Sequence, residues 1–242
     1  SAFSVRDNPF EVIIDRSRFS LSEIDININN KEQAIDGLLK LNNMYRWPRE
    51  ELSPGVMGPF SFIPFLECYH GVISMDHSVK GSLNIDGKHH DFTGRGYMEK
   101  DWGNSFPGRW IWMQTNGFRK EGVSLFLSIA TIPRMGREFT GLISGLLINN
   151  RLYRFATYTG ARIRHLYAGK SDIQIILQDK RYKMEIRTTR PRGGSLKSPI
   201  SGNMEGRVNE SVNAEIRVKL ITRQGFPVFT GRGRNAGLEV EW

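Results

Sequence analysis

The chain has 242 residues, 39% of them hydrophobic with 14 Phe, and a formal net charge of +9. That is enough apolar material for a sizeable core, in one large all-β domain or two small ones. No apolar run approaches the ~18 residues a spanning helix needs, and the single cysteine, Cys68, excludes an internal disulfide and suits a reducing compartment.

Glu11–Asp15 is short and β-rich, and Ile24, Ile26 and Ile28 alternate with Asp25, Asn27 and Asn29, a strand buried on one face. Ser1–Phe10 lacks the charged-then-apolar pattern of a signal peptide. Ala34–Leu41 fits a further strand. Pro48 and Pro54-Gly55 mark a loop. In Ser53–Ser78 the prolines Pro54, Pro59 and Pro64 recur around Phe60, Phe62 and Phe65, a spacing that forbids a regular helix or a central strand. This predicts an ordered apolar loop that covers something and passes into a strand near Glu67–Met75. Glu67, His70, Asp76 and His77 follow the Phe-rich loop, either as site residues or as partners of buried backbone groups. The histidines match no short-spaced metal-ligand motif, so no metal is expected.

Asp86-Gly87 signals a hairpin between Ser82–Ile85 and His89–Thr93. The stretch Gly94–Phe118 then holds three of the five tryptophans. In Y-M-E-K-D-W-G, Glu99 and Asp101 stand within three residues of Trp102. Large rings strip water from a carboxyl and raise its pKa. If the piece is extended, the two acids share a face and repel each other while Lys100 points away. After Pro107-Gly108 strict alternation begins. Trp110, Trp112, Gln114 and Asn116 lie on one face and Ile111, Met113, Thr115 and Gly117 on the other. Two indoles followed by two amides suit a cavity wall; a Trp-rich core with a polar strand end is the structural alternative.

Arg119–Gly122 is a polar turn. Val123–Thr131, Phe139–Ile148, Leu152–Tyr158, Ala161–Tyr167, Asp172–Gln178 and Arg181–Thr188 follow as strands, with Asn149-Asn150 and Asp179-Lys180 among the turns. Pro191–Pro199 reads as a basic, Gly-rich loop. Met204–Val208, Val212–Thr222 and Pro227–Trp242 close the chain as strands. Short strands joined by hairpins argue a meander, sandwich or barrel. Residues 1–120 carry 14 Lys/Arg against 15 Asp/Glu, and residues 121–242 carry 20 against 10. A basic half can serve nucleic acid, anionic lipid or an acidic ligand. No zinc-finger, helix-turn-helix or RNA-binding signature accompanies it, so no nucleic acid partner is expected. Arginines alternating with apolar residues, as in Arg162-Ile163-Arg164 and Ile216-Arg217-Val218-Lys219, read as solvated strand faces; peripheral contact with an anionic membrane is the functional alternative.

Tyr97-Met98-Glu99-Lys100-Asp101-Trp102-Gly103, then Phe106-Pro107, then Trp110-x-Trp112-x-Gln114-x-Asn116-x-Phe118 resembles the signature of the tocopherol cyclase-like family. S-P-G-V-M-G-P-F-S-F-I-P-F-L-E-C-Y-H-G-V-I-S-M-D-H-S over Ser53–Ser78 resembles the same family's other block, and the resemblance covers roughly residues 10–240. It implies an all-β fold of two lipocalin- or calycin-like antiparallel barrels or half-barrels. These would be an N-terminal unit over residues 1–106, incomplete at its start, and a C-terminal unit over residues 107–242. It further implies acid-catalysed ring closure of a prenylated hydroquinone to a chromanol, without cofactor or metal.

In that chemistry Glu99 is the expected proton donor and Asp101 the alternative. Tyr97, Trp102, Trp110 and Trp112 offer faces for a carbocation, and Gln114 and Asn116 could orient the phenol. His70, Asp76 and Glu67 complete the candidate site. The expected ligand is a hydrophobic isoprenoid quinol and the expected location cytoplasmic or membrane-peripheral. A non-catalytic carrier of a hydrophobic small molecule would use the same cavity. Cys68 has no basic neighbour and is expected to be structural rather than reactive.

Overall fold

The computed structural model describes residues 3–134 and 137–242, so that Ser1 and Ala2 of the leading stretch lie outside the described residues. The described residues form strands, turns and two 3-10 turns, at Gly58–Phe62 and Thr157–Thr159. The all-β expectation holds. The first sheet is a meander of β1 (Phe3–Asp7), β2 (Phe10–Ile14), β3 (Ser17–Ser20), β4 (Glu23–Asn29), β5 (Ala34–Tyr45), β6 (Cys68–Ile85) and β7 (Lys88–Gly103), each paired with the next in order. Asp86 (φ 50°) and Gly87 (φ 78°) are both left-handed, the conformation that lets a two-residue turn match the twist of its strands. It joins β6 to β7.

The second sheet contains β8 (Trp110–Thr115), β9 (Gly117–Phe118), β10 (Val123–Arg134), β11 (Arg137–Ile148), β12 (Arg151–Ala156), β13 (Arg162–Ala168), β14 (Asp172–Gln178), β15 (Tyr182–Thr189), β16 (Gly194–Ile200), β17 (Asn203–Thr222) and β18 (Pro227–Glu241). Its order is β12-β11-β10-β8-β18-β17-β15-β14-β13, with β16 on β17 and β9 on β18. All of its pairings are antiparallel. Two local expectations change. The Pro191–Pro199 region is not a loop throughout, because Gly194–Ile200 pairs with β17 as an edge strand. Pro199 falls at the register shift between Ser198 and Ile200, where its missing N–H breaks no ladder bond. The two strands expected over Met204–Val208 and Val212–Thr222 are one, β17, with irregularities between Ser211 and Ala214 and between Ala214 and Ile216.

The chain forms two compact units that are discontinuous in sequence: residues 1–45 with 76–97, and residues 46–75 with 98–242. The larger unit has one continuous apolar core. Leu125, Leu127 and Ile129 of β10 share it with Ile173, Ile175 and Leu177 of β14, so the sheet curls over its own inner face. No closed barrel forms among the described residues, since β12 and β13 end the strand order without pairing. Tyr153 of β12 instead meets Tyr182 of β15 edge-on at 5.1 Å, and Arg151 donates to the Tyr182 hydroxyl at 2.9 Å.

Strand parity decides what each face of this sheet does. Ile111, Met113 and Thr115 of β8, and Leu238 and Val240 of β18, are buried, and the four apolar ones belong to the core cluster. On β17, Ile216, Val218 and Leu220 are buried while Arg217 and Lys219 are exposed, as the alternation predicts. Trp110, Trp112, Ser128, Ala130 and Glu239, of opposite parity on β8, β10 and β18, line a cavity. The loop over residues 46–66 is held to this unit by Trp47 edge-on against Phe126 at 6.4 Å, by Phe60 against Phe139 at 6.1 Å, and by the Tyr158 hydroxyl donating to the Val56 carbonyl at 2.8 Å.

The two signature blocks meet at Gly103. The amides of Asn104 and Ser105 donate to the Glu67 carbonyl at 2.9 and 3.2 Å. A Cβ on Gly103 would lie 2.1 Å from the same oxygen. Gly103→Ala is therefore expected to cost about 1–3 kcal/mol by overpacking, read as a drop in thermal midpoint. A midpoint unchanged from wild type would show that the two backbones can part without loss.

Candidate active site

The site is built on three alternating strands and the loop before them. Residue parity on β7 places Glu99 and Asp101 on one side, as the spacing predicts, and β6 brings His70 between them. His70 Nδ1 makes a short contact with Asp101 Oδ1. Its Nε2 lies 3.2 Å from Glu99 Oε2, an ion-pair separation whose alignment falls short of a hydrogen bond. The imidazole stacks on Phe126 at 4.9 Å and 14°, and its backbone amide points at the Met57 sulfur at 3.1 Å. Burial alone would lower the His70 pKa, but Glu99 and Asp101 outweigh it and push the value up to about 10. At neutral pH His70 is thus a cation between two acids. The two carboxyls do share a side, but the mutual repulsion expected of them is relieved by this imidazolium.

The predicted alternation of β8 is realised, and each indole on its cavity face holds an acid. Trp112 Nε1 donates to Glu99 Oε2 at 3.4 Å, and Trp110 Nε1 donates to Glu239 Oε2 at 2.9 Å. The enclosed space is about 290 Å³, bounded among others by Met57, Phe60, Phe106, Ile132 and Leu142. The Phe-rich loop thus does cover something, since its Met57 and Phe60 are cavity walls. Phe106 meets Trp110 edge-on at 5.4 Å.

Other expected site residues lie elsewhere. Gln114 donates to Asn116, whose amide reaches the Met75 carbonyl at 3.3 Å and whose oxygen accepts from Ser124 at 3.2 Å. The amides therefore tie β6 to β8 and β10, and they are not among the residues that line the cavity. Trp102 is 49% exposed, stacked on Tyr69 at 5.5 Å with Lys100 Nζ 5.1 Å from its ring. Asp76 is buried in an ion pair with Arg95, and Tyr97 belongs with it to the smaller unit. Glu67 contributes its backbone carbonyl to the Gly103 turn.

The sequence reading omits two acids that line the cavity, Glu210 and Glu239. Burial pushes Glu239 up to about 7; the Trp110 N–H acts the other way, and Glu210, Glu99 and Asp101 add to the rise. Burial, with Glu99, raises Glu210 as well. In sequence, Glu239 alternates with Leu238 and Val240 and reads as a solvated strand face. Only the pairing of β18 with β8, Glu239 opposite Trp112, turns that face inward.

Among the described residues His70, Glu99 and Asp101 are the group whose donor atoms, within 4.8 Å of one another, could hold a metal ion. Both imidazole nitrogens face carboxylates, and a metal bound here would have to displace the imidazolium proton. The chemistry of the group at neutral pH is that of an ion triad.

These shifts set the pH dependence of stability. His70, raised from 6.5 to about 10, contributes fully below 6.5, and its contribution is lost as the pH climbs through about 10. Glu239, raised from 4.5 to about 7, keeps its proton in the folded chain after the unfolded chain has lost it, so stability also falls between those values. Thermal midpoints taken against pH should decline across both windows. Glu239→Gln should flatten the lower one and His70→Gln the upper one, each by on the order of 1–3 kcal/mol after solvent screening. Parallel curves in wild type and variants would contradict both assignments.

Cys68 lines the cavity, but burial first, then Asp101, Glu99, Glu239 and Glu67, push its thiol up to about 12 from 9.0. Three pH units mean about 10³-fold less thiolate than an ordinary cysteine, so iodoacetamide should alkylate Cys68 about 10³-fold more slowly at pH 8. Labelling at the rate of an exposed cysteine would contradict this.

A sequence profile of the tocopherol cyclase-like family matches residues 23–241. A chloroplastic rice protein (Oryza sativa subsp. japonica) named "Probable tocopherol cyclase" is 26% identical over 148 residues, which are 59% of this chain and 31% of that protein. The chain thus spans about a third of that relative. Among solved structures, kievitone hydratase of Nectria haematococca is similar in fold, with a TM-score of 0.52 at 13% identity over 95% of this chain and 70% of that one. A Nitrosomonas europaea protein titled as an AttH has a TM-score of 0.51 at 14% identity, over 95% and 69% of the two chains.

Proposed function

Because the chain belongs to the tocopherol cyclase-like family, we propose that the cavity of its larger unit closes a ring in a prenylated hydroquinone-type phenol by acid catalysis. We read the open, curled sheet as a lipocalin-type half-barrel. The reaction is an isomerisation. A proton adds to the prenyl double bond, a tertiary carbocation forms, the phenol oxygen attacks it, and the phenol proton is released. No electrons are gained or lost, so neither oxidant nor reductant enters the balance.

The observation that carries this reading is the placement of a proton-handling triad in an aromatic, apolar cavity. The Trp110 and Trp112 rings on its wall suit a passing carbocation. Glu99, held by His70 on one side and by the Trp112 N–H on the other, is positioned to take the phenol proton. Asp101 orients and charges His70 from the far nitrogen. About 290 Å³ is the low end for a small-molecule site. It suits an aromatic head with the reacting isoprene unit, the rest of a long tail leaving through the mouth. The fold similarity to an enzyme named as a hydratase accords with polar chemistry in such a cavity.

Cyclisation of a short-chain prenylated hydroquinone, followed by chromatography, tests the reading. General acid–base help is worth about 10²–10⁴-fold. Glu99→Gln is expected to lose at least about 100-fold in rate while ligand binding, read by tryptophan emission, persists, and Asp101→Asn should lose less. Binding without turnover in wild type would favour a carrier of hydrophobic ligands, and small, equal losses in both variants would remove these two carboxylates from the mechanism.

A further inference from the structure

Among the described residues that line it, the cavity carries four acids, Glu99, Asp101, Glu210 and Glu239, and one basic side chain, His70, with no lysine or arginine. His70 is committed to Glu99 and Asp101. That leaves Glu210 and Glu239, which are direct register partners on β17 and β18 and so present their carboxyls from one sheet face. Like charges opposite each other on neighbouring strands repel. Two acids so placed in an apolar cavity, with no Lys or Arg among its described lining residues, favour the neutral form of one of them.

The remaining hydrogen bond fits a neutral acid. Trp110 Nε1 donates to Glu239 Oε2 at 2.9 Å. The carbonyl oxygen of a carboxylic acid accepts such a bond and leaves the O–H on the other oxygen free to point elsewhere. One neutral indole donor is a weak counterpart for a full buried charge. Among the described residues, the charged groups named as acting on Glu239 are acids that all raise it, Glu210 from β17 and Glu99 and Asp101 from β7, and His70 of β6 is held between the last two.

We propose that Glu239, paired with Glu210, is a further catalytic residue of the cavity and delivers the proton to the substrate alkene. The proposal rests on the cyclase reading and deepens it by separating the two proton roles. The Glu239 O–H bond breaks as a C–H bond forms at the less substituted alkene carbon, and the π pair is consumed. The phenol oxygen then bonds the tertiary cation and releases its proton to the Glu99 carboxylate. Solvent returns a proton from Glu99 to Glu239, and the product is an isomer of the substrate. The Glu239 pKa of about 7 leaves the group protonated below neutrality and accords with this role. Glu99, against an imidazolium, suits the acceptor instead, so the donor role expected for it passes to β18.

The test uses the whole chain and a short-chain prenylated hydroquinone, with two readouts. The first needs no turnover: the infrared carbonyl band of a protonated carboxyl, followed with pH alongside indole emission, since Trp110 reports on Glu239. A band titrating near pH 7 is expected in wild type. It should be lost in Glu239→Gln and displaced to lower pH in Glu210→Gln, where the like charge is gone. The second is cyclisation rate. Glu239→Gln should lose at least about 100-fold with binding retained, and the wild-type rate should fall as Glu239 ionises above neutrality.

The arms separate the two claims. A wild type that cyclises without a Glu239 titration, or a Glu239→Gln variant that cyclises at full rate, overturns the assignment and leaves the cyclase reading standing. An inert wild type with the titration intact overturns the cyclase reading and the donor role together, while the protonated carboxyl stands. If Glu239→Gln fails to fold, Glu210→Gln decides: an alkaline limb of the pH–rate profile that does not move overturns the pair.

Discussion

The contact on which the larger unit turns is the His70 imidazolium between Glu99 and Asp101. It fixes β6 against β7 at the point where the two long sequence blocks have to meet. It is also a buried ion group, whose Coulomb gain is largely offset by desolvation. What it supplies is placement. Stacking on Phe126 ties the ring to β10, and the His70 amide reaching the Met57 sulfur ties it to the covering loop. Removing the imidazole would leave two carboxylates facing each other in an apolar cavity, a loss larger than that of an ordinary surface pair.

One sheet serves both the core and the cavity, and strand parity keeps them apart. On β8 the residues of odd number, Ile111, Met113 and Thr115, are fully buried, and the indoles at even numbers face the cavity. The same rule places Leu238 and Val240 in the core and Glu239 on the wall. A slip of one residue on β18 would exchange a core valine or leucine for a carboxyl. The register is held along its length by direct pairing with β8 and β17, and Thr115 Oγ1 donating to the Arg234 carbonyl at 2.7 Å anchors its entry. The chemistry of the wall and the stability of the core therefore depend on the same alignment.

The alternation of β8 was legible because the period of two is a local property, but whether its indole face met a cavity or the core was decided only by what packs over it. The covering role of the Phe-rich loop was legible for a similar reason, since prolines at Pro54, Pro59 and Pro64 deny that segment a regular element. His70 could be named, but its position between Glu99 and Asp101 could not. That depends on how β6 and β7 pair after a hairpin at Asp86-Gly87. Gln114 and Asn116 had the right parity for a wall, but Met75 lies close enough for Asn116 to bond its backbone, and a backbone acceptor claimed the amide. Glu210 and Glu239 were hidden altogether. A glutamate between apolar residues reads as solvated until the strand order puts another element over it, and the order β8-β18-β17 joins segments separated by about half the chain.

The distribution of charge bears on what the cavity can stabilise. The chain as a whole is basic, +9, yet four acids and a single histidine are what it presents to the enclosed space. A binding site for an anionic or strongly acidic ligand would be lined the other way, with Lys or Arg in the positions of the glutamates. Indole N–H groups, which are neutral and leave the ring face available, donate to both Glu99 and Glu239, and the one cation of the described lining, His70, is held between the Glu99 and Asp101 carboxylates. A lysine in place of Trp110 would hold the Glu239 carboxylate as a charge, and, unlike an imidazolium flanked by two carboxylates, its charge would repel positive charge developing on a substrate carbon. Fixed dipoles and carboxyls in a low-dielectric space act most strongly on charge that appears during a reaction. A cavity whose described lining is acid-rich and aromatic, with no arginine among it, is thus suited to a substrate that enters neutral, becomes a cation and leaves neutral. A prenyl group protonated and then captured by its own phenol oxygen follows that course.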